Sequence, residues 1–214
     1  VKYYSRGGLD AWPATSYLNL WVCNLSGGVL GYAQFPGGAA ATDGVVLLYS
    51  SVGSMLSPTS SSPYNLGRTA THEVGHWLNL YHIWGDDGTA CTGTDNCSDT
   101  PNQAGENYGC PTFPKTDACS ATSPGVMFMN YMDYTDDGCM NMFTAGQSSR
   151  MNALFASGGA RVPPGLREPS TGAGSLRALR LVADVTRGHR AGLPERLRAA
   201  CARVRAGEYA AVVR

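Results

Sequence analysis

Long apolar runs are missing from this chain. No stretch of its 214 residues approaches the roughly 18 consecutive apolar residues of a membrane-spanning helix, so no transmembrane segment is expected. Basic residues are scarce over the first three quarters. Residues 1–160 hold 5 basic and 12 acidic side chains, a net charge of −7, which leaves nucleic-acid binding without support. The overall charge of zero hides this, because residues 161–214 hold 11 basic and 4 acidic side chains, a net charge of +7. CxxC pairs are absent, which weakens any reading of the seven cysteines as a thiolate zinc site. Histidine is scarce as well, and its placement is informative. Of the four histidines, three fall inside the eleven residues HEVGHWLNLYH, 72–82.

Within that window His72 and His76 are four apart, so on a helix their imidazoles leave from one face and can share a metal ion. Glu73 stands beside the first of them, where a carboxylate can deprotonate a metal-activated water. His82 lies six residues past His76, and a continuing helix would carry it about 9 Å along the axis. The chain must therefore leave the helix and turn back. Asn79 stands at the expected bend, and Asn is second only to Gly in tolerating the left-handed conformation that ends many helices. Three neutral ligands leave a fourth position for water, the mark of a catalytic rather than a structural zinc. The bland alternative, a surface helix with solvated histidines, does not explain the third histidine.

HExxHxxGxxH followed by a methionine-containing turn is the metzincin signature. The chain carries it with Asn79 in the Gly position, and NYMDYTDD at 130–137 supplies the turn. Together with AWPATSYLNLWVCNL, GYAQFPGG, ATHEVGHWLNLYHIWG and SDTPNQ, these segments resemble the pappalysin family of metzincin zinc proteases over about residues 1–161. The resemblance implies an α+β fold. Its parts are a mixed twisted sheet with an antiparallel edge strand, a zinc helix, and a loop-rich C-terminal subdomain holding the Met-turn and a terminal helix. It implies His72, His76 and His82 as zinc ligands, Glu73 as general base, Met132 as an apolar floor and Tyr134 as a catalytic hydroxyl near the metal. It implies disulfides Cys91–Cys119 and Cys110–Cys139, with Cys97 unpaired. Cys23, inside a strand, reads as a buried small hydrophobe. The resemblance also implies that a signal peptide, a pro-segment and the first strand and helix precede Val1.

Strands are expected over Tyr17–Leu25, Gly31–Phe35 and Gly44–Val52, the last beginning with an apolar run suited to a central position. The zinc helix is expected over Asn65–Asn79, loop over 84–126, and a last helix from Thr144, where Thr144 and Gln147 have capping-box spacing. The resemblance implies that Gly31, Tyr32, Ala33, Gln34 and Phe35 are the antiparallel edge strand over the cleft, to which an extended peptide can add as one more strand. Asp95, Asp99 and Thr100 are closely spaced oxygens that suit calcium, or else a polar turn. Asp133, Asp136 and Asp137 read as solvated loop charge, or as an attraction for basic residues after the scissile bond.

Residues 1–161 are thus expected to form one domain and 162–214 an arginine-rich extension. In the extension, Leu193–Ala206 could form an amphipathic helix or remain a solvated tail. The expected function is that of a secreted, monomeric zinc endopeptidase acting on extended or unfolded protein. The alternatives are an inactive metzincin-fold binding module, which the intact Glu73 disfavours, and a zinc hydrolase with a downstream Glu ligand, which His82 disfavours.

Overall fold

The structure is a computed structural model that describes residues 1–54, 56–59, 62–156 and 158–161. The expected amphipathic helix at Leu193–Ala206 lies outside the described residues. Three strands, β1 (Leu20–Cys23), β2 (Gly31–Ala33) and β3 (Val45–Leu48), form one sheet in the order β1-β3-β2. β1 runs parallel to β3, and β2 runs antiparallel to it on the other side, as the edge strand. Val45 and Val46 are fully buried, as the apolar run predicted for a central strand. Among the described residues two α-helices follow: α1 (Arg68–Trp77), which packs on β2 and β3, and α2 (Ala145–Ala153). Among the described residues, no helix is long and apolar enough to cross a membrane.

Each element is shorter than its sequence pattern suggested, and the reason is local. Before β1, the Asn19 side chain bonds both backbone groups of Trp12 and also Asp43 O, which holds residues 12–19 in a loop. After β3, Tyr49–Ser51 form a 3₁₀ turn in which Ser51 Oγ donates to Leu48 O. β2 stops at Ala33 because Gln34 turns its side chain onto Thr42 and Ala39. Within the expected glycine–alanine turn, Ala40–Thr42 form a short 3₁₀ helix. Cys23, at the end of β1, is half-buried rather than buried.

The zinc-helix candidate begins three residues late because Gly67 takes a left-handed φ of 86°. No neighbouring side chain caps it. Instead the Asp137 carboxylate accepts from the N–H groups of Leu66 and Arg68, placing negative charge at the helix N-terminus from 70 residues away in sequence. At the other end Asn79 has φ 70°, Asn79 N donates to His76 O and Leu80 N to Gly75 O. This paired pattern is the Schellman motif, and it reverses the chain directly after the helix. Arg161 secures the same end. It forms a two-pronged ion pair with the buried Asp43 (2.8 and 3.2 Å), donates to Trp77 O, and lies 3.5 Å above the Trp77 ring.

α2 is capped as its sequence proposed. Thr144 and Gln147 exchange the reciprocal bonds of a capping box. Gln147 also pairs side chain to side chain with Asn130, whose Oδ1 accepts from Met132 N. The helix thereby holds the turn that carries Met132. Residues 84–126 contain no helix or strand and are stapled by Cys91–Cys119 and Cys110–Cys139, while Cys97 is free and buried.

Replacing Asn79 by Val should lower stability by about 1–2 kcal/mol, the cost of a left-handed conformation for a residue that lacks both the freedom of Gly and the short polar side chain of Asn. Asn79→Gly should be neutral or stabilising. Urea unfolding midpoints of the three proteins measure both effects.

Candidate active site

α1, the reversal at Asn79 and the Met132 turn bring three imidazoles to one point. His76 Nε2 lies 3.0 Å from His72 Nε2 and 3.1 Å from His82 Nε2, and among the described residues only these three form a metal-ligating group. The other ring nitrogens decide the tautomers. His72 Nδ1 faces Tyr131 O at 2.7 Å, His76 Nδ1 faces Leu80 O at 2.8 Å, and His82 Nδ1 faces the Asp86 carboxylate at 2.8 Å. Carbonyl and carboxylate oxygens only accept, so each Nδ1 carries the proton and each Nε2 presents a lone pair. Three lone pairs converge with no proton between them, which is repulsive unless a cation sits there. Ligands at zinc–nitrogen length in a tetrahedral array stand about 3.3 Å apart, close to the observed spacing. The residues therefore fit a zinc ion.

Burial and mutual repulsion keep His72 and His76 neutral. His72 is held well below the usual imidazole range, first by burial and then by the neighbouring histidines. Burial brings His76 down to about 4. Trp84 stacks on His82 with centroids 4.3 Å apart, fixing the one ligand that comes from a loop.

Glu73 is buried, and burial pushes its carboxyl up to about 8. A dication held by the three imidazoles would pull it back down. Gly31 makes room for this carboxylate, since a Cβ there would stand 2.8 Å from Glu73 Cγ. Tyr134 places its hydroxyl 3.1 Å from His82 Nε2, and burial followed by the Glu73 charge raises it to about 12, so it keeps its proton. Met132 is fully buried against α1: a Cβ on Gly75 would meet its sulfur at 2.5 Å. On the His72 side opens a cavity of about 470 Å³ whose lining includes Gly31, Arg68, His72, Glu73, Tyr134 and Met140.

Two expectations change. Asp133 and Asp137 are buried rather than solvated. Asp133 accepts from Gln103, from the backbone and side-chain amides of Asn107 and from Tyr134 N, so its carboxylate supports the loop beneath the site. Asp95, Asp99 and Thr100 do not form one oxygen cage. Asp99 gives both oxygens to the start of α2, accepting from Thr144 Oγ1 and Gly146 N, while Asp95 Oδ1 accepts from Cys97 N and Thr100 Oγ1. Of the expected substrate strand, Gly31, Tyr32 and Ala33 form β2, Gln34 is tied to the following turn, and Phe35 rests against His76.

Sequence reasoning missed Asp86, Trp84, Gly31 as a spacer, and Gly75. The helical Gly75 carried a faint signal, because a mid-helix glycine costs about 1 kcal/mol and needs a packing reason.

The profile of the Pregnancy-associated plasma protein-A peptidase family matches residues 7–156. The chain belongs to the pappalysin family. Mature mirolysin of Tannerella forsythia, solved in complex with a cleaved peptide, is 53% identical and superposes with a TM-score of 0.70, over 87% of this chain and 65% of that one. A promirolysin mutant from the same organism is 51% identical with a TM-score of 0.72, over 87% of this chain and 57% of that one. The pappalysin chain thus has the metzincin-like α+β fold. An extracellular metalloprotease of Podospora anserina is 43% identical over 147 residues, covering 65% of this chain and 47% of that protein. One from Colletotrichum graminicola is 46% identical over 136 residues, covering 60% and 46%. The chain spans about half the length of these curated relatives.

Asp86→Ala removes the acceptor that orients His82 and should weaken zinc binding about 10- to 100-fold in chelator competition. In the metal-free protein, His72 and His76 titrate below their ordinary 6.5. The unfolded chain then binds more protons at these two sites, so their contribution to stability should be fully present above pH 6.5 and lost as pH drops through about 4, while that of Glu73 should be fully present below its ordinary 4.5 and lost as pH rises through about 8. Melting temperature against pH, in chelator, reads this.

Proposed function

We propose that this chain carries the active site of a secreted zinc endopeptidase. The observation that supports it most is the convergence of three Nε2 lone pairs beside a buried glutamate, each imidazole fixed by an acceptor at Nδ1. Zinc held by His72, His76 and His82 would supply a Lewis acid that polarises a carbonyl and acidifies water. Glu73 takes the proton of the attacking water and delivers it to the leaving amine. Its raised pKa makes the carboxylate a stronger base toward the water than an ordinary carboxylate, and the acid so formed is still stronger than an ammonium ion, so it passes the proton on to the leaving amine. Tyr134, which stays protonated, donates to the oxyanion that develops at the scissile carbonyl. β2 offers its free edge to an extended peptide, and Gly31 brings that edge close over Glu73.

The cavity on the His72 side receives the side chain that follows the scissile bond. A preference for a basic side chain there is supported by Asp133, whose charge is met by amides rather than by a cation. Arg68 on the same wall works against it. Calcium belongs to this proposal at Asp95, whose Oδ2 is buried without a hydrogen-bond partner. Secretion is supported by the two disulfides, which persist in oxidising compartments, and by relatives named extracellular.

The test compares cleavage of an unfolded protein by wild type and Glu73→Ala, with zinc content measured on both. Loss of the general base should cost about 10²–10⁴ in rate while zinc stays bound. Equal cleavage by the two proteins, or wild type free of zinc, would overturn the proposal in favour of a metzincin-fold binding module.

A further inference from the structure

β2 crosses the metal-ligating group from one side to the other. Its Gly31 end lies over Glu73, next to the cavity. Beyond its other end, Phe35 stands with its ring centroid 5.3 Å from that of His76. Phe35 also stacks on Tyr81, with centroids 5.4 Å apart and planes 24° apart. Both rings are 37% exposed, unlike the buried aromatics Trp21, Trp77 and Trp84 of the interior. Two exposed rings stacked beside a metal ligand form an apolar shelf, and neither lines the cavity.

The direction of a bound peptide follows from the sheet. β2 already pairs antiparallel with β3, and a peptide added antiparallel to the outer edge of β2 runs from the Phe35 end toward the Gly31 end. Its C-terminal half then enters the cavity beside His72 and Glu73. Its N-terminal half passes over Phe35, His76 and Tyr81. Resting on the peptidase reading above, we propose that Phe35 and Tyr81 form a binding subsite for an apolar or aromatic side chain within the three residues preceding the scissile bond. The subsite selects by burial of apolar surface and by ring stacking, and the rings are already stacked before a substrate arrives, so little side-chain freedom is lost on binding. Arg150, whose guanidinium lies 5.0 Å from the Tyr81 ring centroid while its Nε donates to Asn79 O, holds Tyr81 in place from the α2 side. Tyr81 also sits between Leu80, whose carbonyl fixes His76, and His82, so the subsite is built on the same turn that completes the metal site.

Peptide pairs that differ only in one residue before the bond, Phe or Leu against Ser or Asp, are cleaved by wild type, Phe35→Ala, Phe35→Leu and Tyr81→Ala. Zinc content and circular dichroism are recorded for each. Wild type should prefer the apolar peptide by about tenfold in kcat/KM, carried mainly by KM. Phe35→Ala and Tyr81→Ala should abolish that preference while the selectivity after the bond is unchanged. Phe35→Leu, which keeps an apolar surface, should retain the preference for Leu and lose that for Phe. A wild type that cleaves without apolar preference, or prefers Asp, overturns this subsite and leaves the peptidase reading standing. A preference that survives in Phe35→Ala and Tyr81→Ala does the same. A wild type that binds zinc and cleaves none of the peptides, nor an unfolded protein, overturns both.

Discussion

Three imidazole lone pairs must point at one place, and most of the domain serves that requirement. Each ring is aimed by one acceptor at its far nitrogen, and the three acceptors come from three different structures. Tyr131 O exists where it does because the Met132 turn is braced by Asn130 and, behind it, by Gln147 of α2. Leu80 O is available because Asn79 reverses the chain. Asp86 reaches His82 from a residue that itself has φ 54°. The ligands are local in sequence, but their orientation is not. This is how a small sheet and two helices of nine and ten residues can hold a site that needs sub-ångström placement.

Much of this was readable along the chain. The spacing of His72, His76 and His82, the bend at Asn79 and the capping box at Thr144 are local patterns, and periodicity carries them. What could not be read depends on residues far apart. Asp137 caps α1 from 70 positions away, and nothing near Gly67 announces it. Asp99 resembled a cation ligand because a run of oxygens looks alike whether it meets a metal or the N–H groups of a distant helix. Gly31 belonged to a strand pattern, and its closeness to Glu73 appears only when β2 lies over α1. Strand ends were overestimated for a similar reason, since alternation continues through residues such as Gln34 whose side chains are taken by neighbouring loops.

Carboxylates explain the acidic character of residues 1–160 in a way that composition alone does not. Asp43, Asp133 and Asp137 are almost wholly buried, and each is met by several donors. They act as internal struts in a region that has few regular hydrogen-bond ladders. A loop-rich subdomain has many backbone N–H groups to satisfy, and a buried carboxylate can accept from several of them at once. Those bonds offset part of the cost of desolvating the Asp133 and Asp137 charges, and the remainder is visible as their raised pKa values.

Arg161 binds Asp43 across 118 positions of sequence while closing over Trp77 at the end of α1. A chain is made from its N-terminus, so β3 and α1 emerge long before the guanidinium that ties them together. Until residue 161 has been synthesised, Asp43 lacks its cationic partner and Trp77 O lacks its donor. The helix that carries His72 and His76 therefore reaches its final anchorage late in biosynthesis, after the Met132 turn and α2 are already available to pack against it.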